Sequence, residues 1–274
     1  MMDKSAITQI QTLGSAPVLL EQLAKTGFPV AALPENFHLH SLEPFMPQRN
    51  QFRGTMKTSH IEEFVNYSIK YEIDGSQCFI NPDVMTAEAI FDLGTQSMPG
   101  HCNHKAHLKL KPTADFQELK DINDERLSQK VLAEWIEDFS DNLQAFERDG
   151  TTIDIAVASA AIRNMTFEHK RGGESSVDDF SASQSEYESM AIRTKEEYPM
   201  PAVFKFTCIP YHGLSERGFE LRMSTIGNQT LVLRIKKIET HVEAMGEEFK
   251  GIIIDKLSNE DAKHIKTFIG QFAS

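Results

Sequence analysis

Cysteine is scarce in this chain. The 274 residues hold three, Cys78, Cys102 and Cys208, an odd number at wide spacing with no CxxC pair. That pattern argues against a disulfide framework and favours a reducing compartment. Long apolar runs are missing too: nothing approaches the ~20 consecutive apolar residues of a membrane span. The opening Met1-Met-Asp-Lys-Ser-Ala6 has no signal-peptide core. A cytoplasmic protein without a membrane partner is expected. Basic residues are the minority, 28 against 40 acidic for a formal charge of -12. This balance opposes the counterion release that drives most nucleic-acid binding, so nucleic acid is disfavoured as a partner. The sequence also lacks GxSxG, HExxH, GxGxxG and a phosphate loop, because Arg171-Gly-Gly173 has neither the lysine nor the hydroxyl such a loop needs. No enzyme and no cofactor are implied.

What is present is an ordinary globular composition, 40% hydrophobic and 25% charged, in a chain long enough for one large α+β domain or for a subdivision into 1–150 and 151–274. Apolar spacing and caps predict helical segments over Ser5 to Lys25. A proline-rich extended connector follows from Gly27, with His38 and His40 on one face as exposed partners of Phe37 and Leu39. A strand is expected at Phe52 to Met56, then a helix from Ile61 towards Asp74-Gly75, with Glu62 and Glu63 suited to its positive N-terminal end. Strands at about Gln77 to Ile80, Thr86 to Asp92 and His104 to Lys111 form a meander. A short helix over Thr113 to Asp121 precedes a long one, capped by Asp124 and running to about Arg148. Its stripe would be Leu127, Val131, Trp135, Phe139 and Phe146, with Leu132, Ile136 and Leu143 alongside. Another helix covers Thr152 to Arg163, and the polar run Glu174 to Glu186 suits a loop or the flank of a long hairpin. Strands at about Tyr187 to Thr194, Ala202 to Pro210, Gly218 to Ser224 and Leu231 to Lys237 build a second antiparallel sheet. Helices over Thr240 to Leu257 and Asn259 to Phe272 end the chain. Strands in runs and helices in runs, with helices at both ends, define α+β architecture with antiparallel sheets.

Site chemistry concentrates in one place. Between Met98 and Pro112 lie His101, Cys102, His104 and His107. Cys102, His104 and His107 are residue types that zinc takes, but no second ligand pair follows at a matching distance; His169, Cys208 and His212 would serve only if the fold gathers them. On a strand beginning at His104, residues 104 and 107 point to opposite faces, which separates the two imidazoles. A thiol nucleophile at Cys102 would need a base and an oxyanion hole that the sequence does not supply. The bland reading is a turn and strand whose histidine holds the fold or an interface. Glu134, Glu137 and Asp138 belong to a solvated helix face, and the lysines of Lys105 to Lys111 and of Arg234 to Lys237 alternate with apolar residues as half-buried strands do.

The segments Gly27-Phe-Pro-Val-Ala-Ala-Leu-Pro-Glu-Asn-Phe-His-Leu-His-Ser-Leu-Glu-Pro-Phe45 and Phe52-Arg-Gly-Thr-Met-Lys-Thr-Ser-His-Ile-Glu-Glu-Phe64 resemble the YfdQ-like family of phage and prophage proteins. Cys102-Asn-His-Lys-Ala-His-Leu-Lys-Leu-Lys-Pro-Thr113 is similar to that family's turn and strand, and Ala133-Glu-Trp-Ile-Glu-Asp-Phe139 to its helix. The resemblance implies a cytoplasmic early-region protein, with His104 as the family's recurrent histidine and His101 and His107 as departures. His104, Arg53 and Trp135, which lie in these motifs, are the candidate structural or interface residues.

The expectation is a non-enzymatic phage or mobile-element protein that associates with itself as a homo-oligomer, or with a host or phage protein. Three alternatives stand beside it. One is an accessory of phage DNA recombination or replication that contacts single strands through the basic strands. Another is an antagonist of host defence that imitates nucleic acid with aligned carboxylates. The last is a metalloenzyme built on the histidine cluster.

Overall fold

A computed structural model describes residues 43–49, 51–167, 192–194, 198–226, 230–258 and 265–273. The predicted helices over Ser5 to Lys25, the connector with His38 and His40, and the Glu174 to Glu186 segment lie outside the described residues. So does His169. The chain divides into two compact units, Met1–Phe52 and Arg53–Ser274. In the first, Glu43–Phe45 form one 3-10 turn; the second contains every feature that follows. Across residue 150, a strand before it, β5, Leu143–Phe146, pairs with a strand after it, β9, Val203–Cys208.

The first sheet of the large unit has five strands: β1, Gly54–Thr58; β2, Gln77–Asn81; β3, Thr86–Ile90; β4, His104–Lys109; and β12, Lys266–Ile269. Their spatial order is β1-β4-β3-β2-β12. β2, β3 and β4 are the expected antiparallel meander. The flanking pairs β1 with β4 and β12 with β2 are parallel, so this sheet is mixed. Parallel neighbours need crossover connections: β12 reaches β2 only after the whole second sheet and a long helix. Alternation sorts the side chains. Cys78, Ile80, Ala87, Ala89, Ala106 and Leu108 are buried on one face, against α1, Ile61–Tyr71, and α5, Ile238–Leu257. Gly246 lets α5 approach the turn between β2 and β3, since a Cβ there would come within 3.0 Å of the Pro82 carbonyl oxygen.

α1 forms as its pattern dictates. Ile61, Phe64, Val65 and Ser68 recur at helical spacing and are buried, Glu62 and Glu63 occupy the first turn and Lys70 the last. Thr58 Oγ1 accepts a hydrogen bond from the His60 amide just ahead of it.

The second sheet runs β11-β10-β9-β5-β6, where β6 is Thr152–Ile153, β10 Arg217–Ile226 and β11 Thr230–Ile235. A separate hairpin pairs β7, Met165–Phe167, with β8, Ile192–Thr194. Of the predicted Tyr187 to Thr194 strand, only that β8 part is described. Phe204, Phe206, Phe219, Leu221, Leu231 and Leu233 are fully buried. Over this sheet lie α2, Ala114–Ile122, capped by Thr113; α3, Gln129–Asp138, capped by Ser128; and α4, Ile155–Arg163, capped by Asp154.

Two helix predictions are corrected. α3 is short: Phe139 leaves helical geometry at φ -107°, ψ 25°, and residues from Leu143 join β9 as a strand. Asn142 Nδ2, donating to the Thr207 carbonyl at 3.0 Å, anchors that change of direction. Asp124 is not the cap; it sits at φ 62° and accepts from Arg234 Nε at 2.7 Å. Val131, predicted in the core stripe, is 49% exposed, while Leu132, Ala133 and Ile136 are buried. The final stretch is likewise no helix where it is described, for Lys266–Ile269 is β12.

Candidate functional site

The connection from β3 to β4 carries the histidine cluster, and Asp92 organises it. Its carboxylate accepts the amides of Asn103 and His104, each at 2.9 Å, and its carbonyl accepts the Cys102 amide at 3.3 Å. Cys102 is held at φ 54°, and a side chain at Gly100 would collide with the Asp92 backbone. Asp92 was not singled out from sequence; an aspartate at a strand end ahead of a polar turn was its available signal.

His104 then enters β4 facing the core. It is 6% exposed, its Nε2 lies 3.1 Å from the Tyr67 hydroxyl, and its ring packs against Phe91 at 4.6 Å and edge-on against Tyr71 at 5.3 Å. Burial pushes its basicity below the ordinary imidazole range, and the nearby Asp92 charge only partly offsets this. His107 is half-buried on the opposite face of the same strand, where it is paired in register with Glu88 and Lys57. The strand thus separates the two imidazoles as the alternation predicted, and His101 is exposed in the turn. Among the described residues no group of three or more His, Cys, Asp or Glu is placed to hold a metal ion.

The other candidates are scattered. Arg53 is exposed immediately before β1. Trp135 is a packing residue on α3: its ring stacks on Phe206 at 5.7 Å and meets Phe139 at 5.3 Å. Its buried Nε1 has no hydrogen-bond partner among the described residues. Cys208 is buried, with its thiol pushed up to about 12 by burial, and burial pushes Cys78 up as well; neither is a thiolate at neutral pH.

Sequence reasoning missed a clasp between β10 and α5. The Arg217 guanidinium meets the Glu248 carboxylate at 2.5 Å, Glu248 also accepts the Ser215 amide at 2.6 Å, and His241 lies against Phe219 at 4.8 Å. Burial alone would raise the Glu248 carboxyl, but the bonds from Ser215 and Arg217 hold it below the usual range. Nothing local in sequence links residues so far apart.

Open grooves run beside α5. One, of about 420 Å³, is lined by His60, Glu62, Glu63, His212 and Lys256. Another, of about 430 Å³, is lined by Asp83, Glu239, Val242, Glu243 and Glu247. Glu239, Glu243 and Glu247 follow one another at four-residue intervals along α5 in this groove, and Lys250 pairs with Glu247.

The fold and this cluster define an α+β protein of two mostly antiparallel sheets, with its most distinctive histidine built into the core. The family model described as uncharacterized conserved protein (DUF2303) matches residues 3–272, and the chain belongs to that family. Neither the curated proteins nor the solved structures gave a match.

Proposed function

We propose that the protein works by association rather than by catalysis, as a homo-oligomeric cytoplasmic protein of a phage or mobile element. The phage origin draws on the resemblance to YfdQ-like proteins in the connector, the β1 segment and the α3 motif. The observation that carries the association reading is β12. Among the described residues it is the terminal strand of its sheet, and it presents Phe268 and Ile269 at 44% and 56% exposure. An edge strand ordinarily carries charge, proline or a bulge to discourage pairing. β12 has one lysine and two apolar side chains instead, whereas β1 at the opposite edge carries Gly54, Thr55 and Lys57. A second copy, or a strand from a host or phage protein, would cover the β12 edge and extend the ladder.

The buried His104, Cys78 and Cys208 are placed as core groups, and among the described residues no helix is long and apolar enough to cross a membrane. The test is molar mass in solution by size-exclusion chromatography with light scattering, on wild type and on Ile269→Lys. The reading expects a multiple of the chain mass that falls to a single chain in the variant. A wild-type monomer at micromolar concentration would end the homo-oligomer claim.

A further inference from the structure

The face of the first sheet opposite α1 and α5 differs in chemistry from the apolar face packed against them. Registers place Lys57, His107, Glu88, Phe79 and Phe268 side by side in one row across all five strands. Strands lie about 4.8 Å apart, so this row crosses the whole sheet. At one end it is aromatic: Phe79 stacks on Phe268 with centroids 5.6 Å apart and 22° between planes, and Phe272 adds a third ring at 5.1 Å from Phe79. At the other end it is basic, with Lys57 and the neighbouring Lys109 both exposed.

The outward positions of these five strands carry Lys57, Lys105, Lys109 and Lys266 against a single carboxylate, Glu88, and Lys105 lies 3.9 Å from that carboxylate. In a chain of net charge -12, this is a local inversion of sign. Part of the face is closed, since Ile90 beside Lys105 is fully buried. The row through His107 and Phe79 is open, and a small groove bordered by Phe79, Glu88, His107 and Phe272 runs along it.

We infer that this row is a binding site for single-stranded nucleic acid, with bases stacking on the Phe79, Phe268 and Phe272 rings and the backbone running past Lys57, His107 and Lys109. Flat aromatic rings on a sheet beside lysines suit unpaired bases, whose faces are free, and not duplex, whose bases are already stacked. Charge complementarity favours a polyanion over a second copy of this acidic chain. The inference goes beyond the association reading, because it uses the outward face of the sheet, and Phe268 is the one side chain it shares with the β12 edge.

Fluorescence anisotropy with labelled oligodeoxythymidylate, its oligouridylate counterpart and a DNA duplex of equal length, over a salt series, tests it. Binding of either single strand should weaken as salt rises. Lys57→Glu and Lys109→Glu should each flatten the logarithmic salt slope by about 0.7. Phe79→Leu, which keeps an apolar side chain and leaves the β12 edge intact, should weaken binding about tenfold. Lys130→Glu, on α3 over the other sheet, is the charge-matched control and should change neither quantity. Circular dichroism and molar mass accompany each variant, so that loss of fold or assembly is seen directly; Thr55→Glu, an exposed position on the same face, replaces any variant that fails to fold. The inference is overturned if no single strand binds at low salt, if duplex binds as tightly, or if Lys130→Glu acts as strongly as Lys57→Glu. Failure here leaves the molar-mass result, and with it the association reading, untouched.

Discussion

At the scale of single residues, His104 is the side chain on which the β3 to β4 region converges, and its surroundings say what it does. Three aromatic rings and the Tyr67 hydroxyl enclose it, and its strand turns it away from His107. His104→Ala should therefore cost about 2–4 kcal/mol of stability through lost packing and a stranded tyrosine hydroxyl. Tyr67→Phe should cost about 1 kcal/mol; denaturant titration measures both. The same burial makes stability depend on pH. The folded protein holds the His104 imidazole less basic than its ordinary value of 6.5, so the unfolded chain binds the proton more readily. The contribution is then full above about pH 6.5 and is lost as pH falls through the lower folded value. Melting temperature should drop on acidification below 6.5, and His104→Phe should remove part of that drop. His241, also depressed by burial, supplies a further part with the same sign. An unchanged acid profile in His104→Phe would contradict the assignment of His104 to the neutral core.

At the scale of elements, the clasp between β10 and α5 is the polar contact with most at stake. Glu248→Ala would leave a half-buried guanidinium whose Nε already has no hydrogen-bond partner among the described residues, and should destabilise by about 1–3 kcal/mol. Lys236→Ala breaks the exposed pair with Glu220 and should stay within about 0.5 kcal/mol; parallel urea titrations separate the two.

Elements also show what could be read from the chain and what could not. Strand alternation alone puts His104 and His107 on opposite faces, because a period of two is a local property. The amphipathic helix α1 and the meander were legible for the same reason. α3 was drawn too long because Leu143 and Phe146 continue an apolar helical spacing from Phe139; the ladder to β9 and the Asn142 anchor, both distant in sequence, overrule it. β12 was misread likewise. Ile265, Phe268, Ile269 and Phe272 sit at helical intervals, yet pairing with β2 sets the backbone. The aromatic row emerged only when β12 was laid beside β2, since Phe79 and Phe268 meet through a register that no local pattern encodes.

At the scale of the whole molecule, two sheets share one continuous hydrophobic core, and the charge is unevenly spread. Carboxylates line the groove beside α5, and lysines mark the open face of the first sheet. These two surfaces differ in sign, and among the described residues β12 lies at the edge of its sheet with Ile269 exposed. The central claim is that the protein acts by associating through that edge. Light scattering on the eluting wild-type protein and Ile269→Lys tests it most directly. The account predicts an assembly of two or more chains for wild type and one chain for a variant that keeps its circular dichroism. A wild type that elutes as a single chain, or a folded variant that keeps the wild-type assembly, would contradict it.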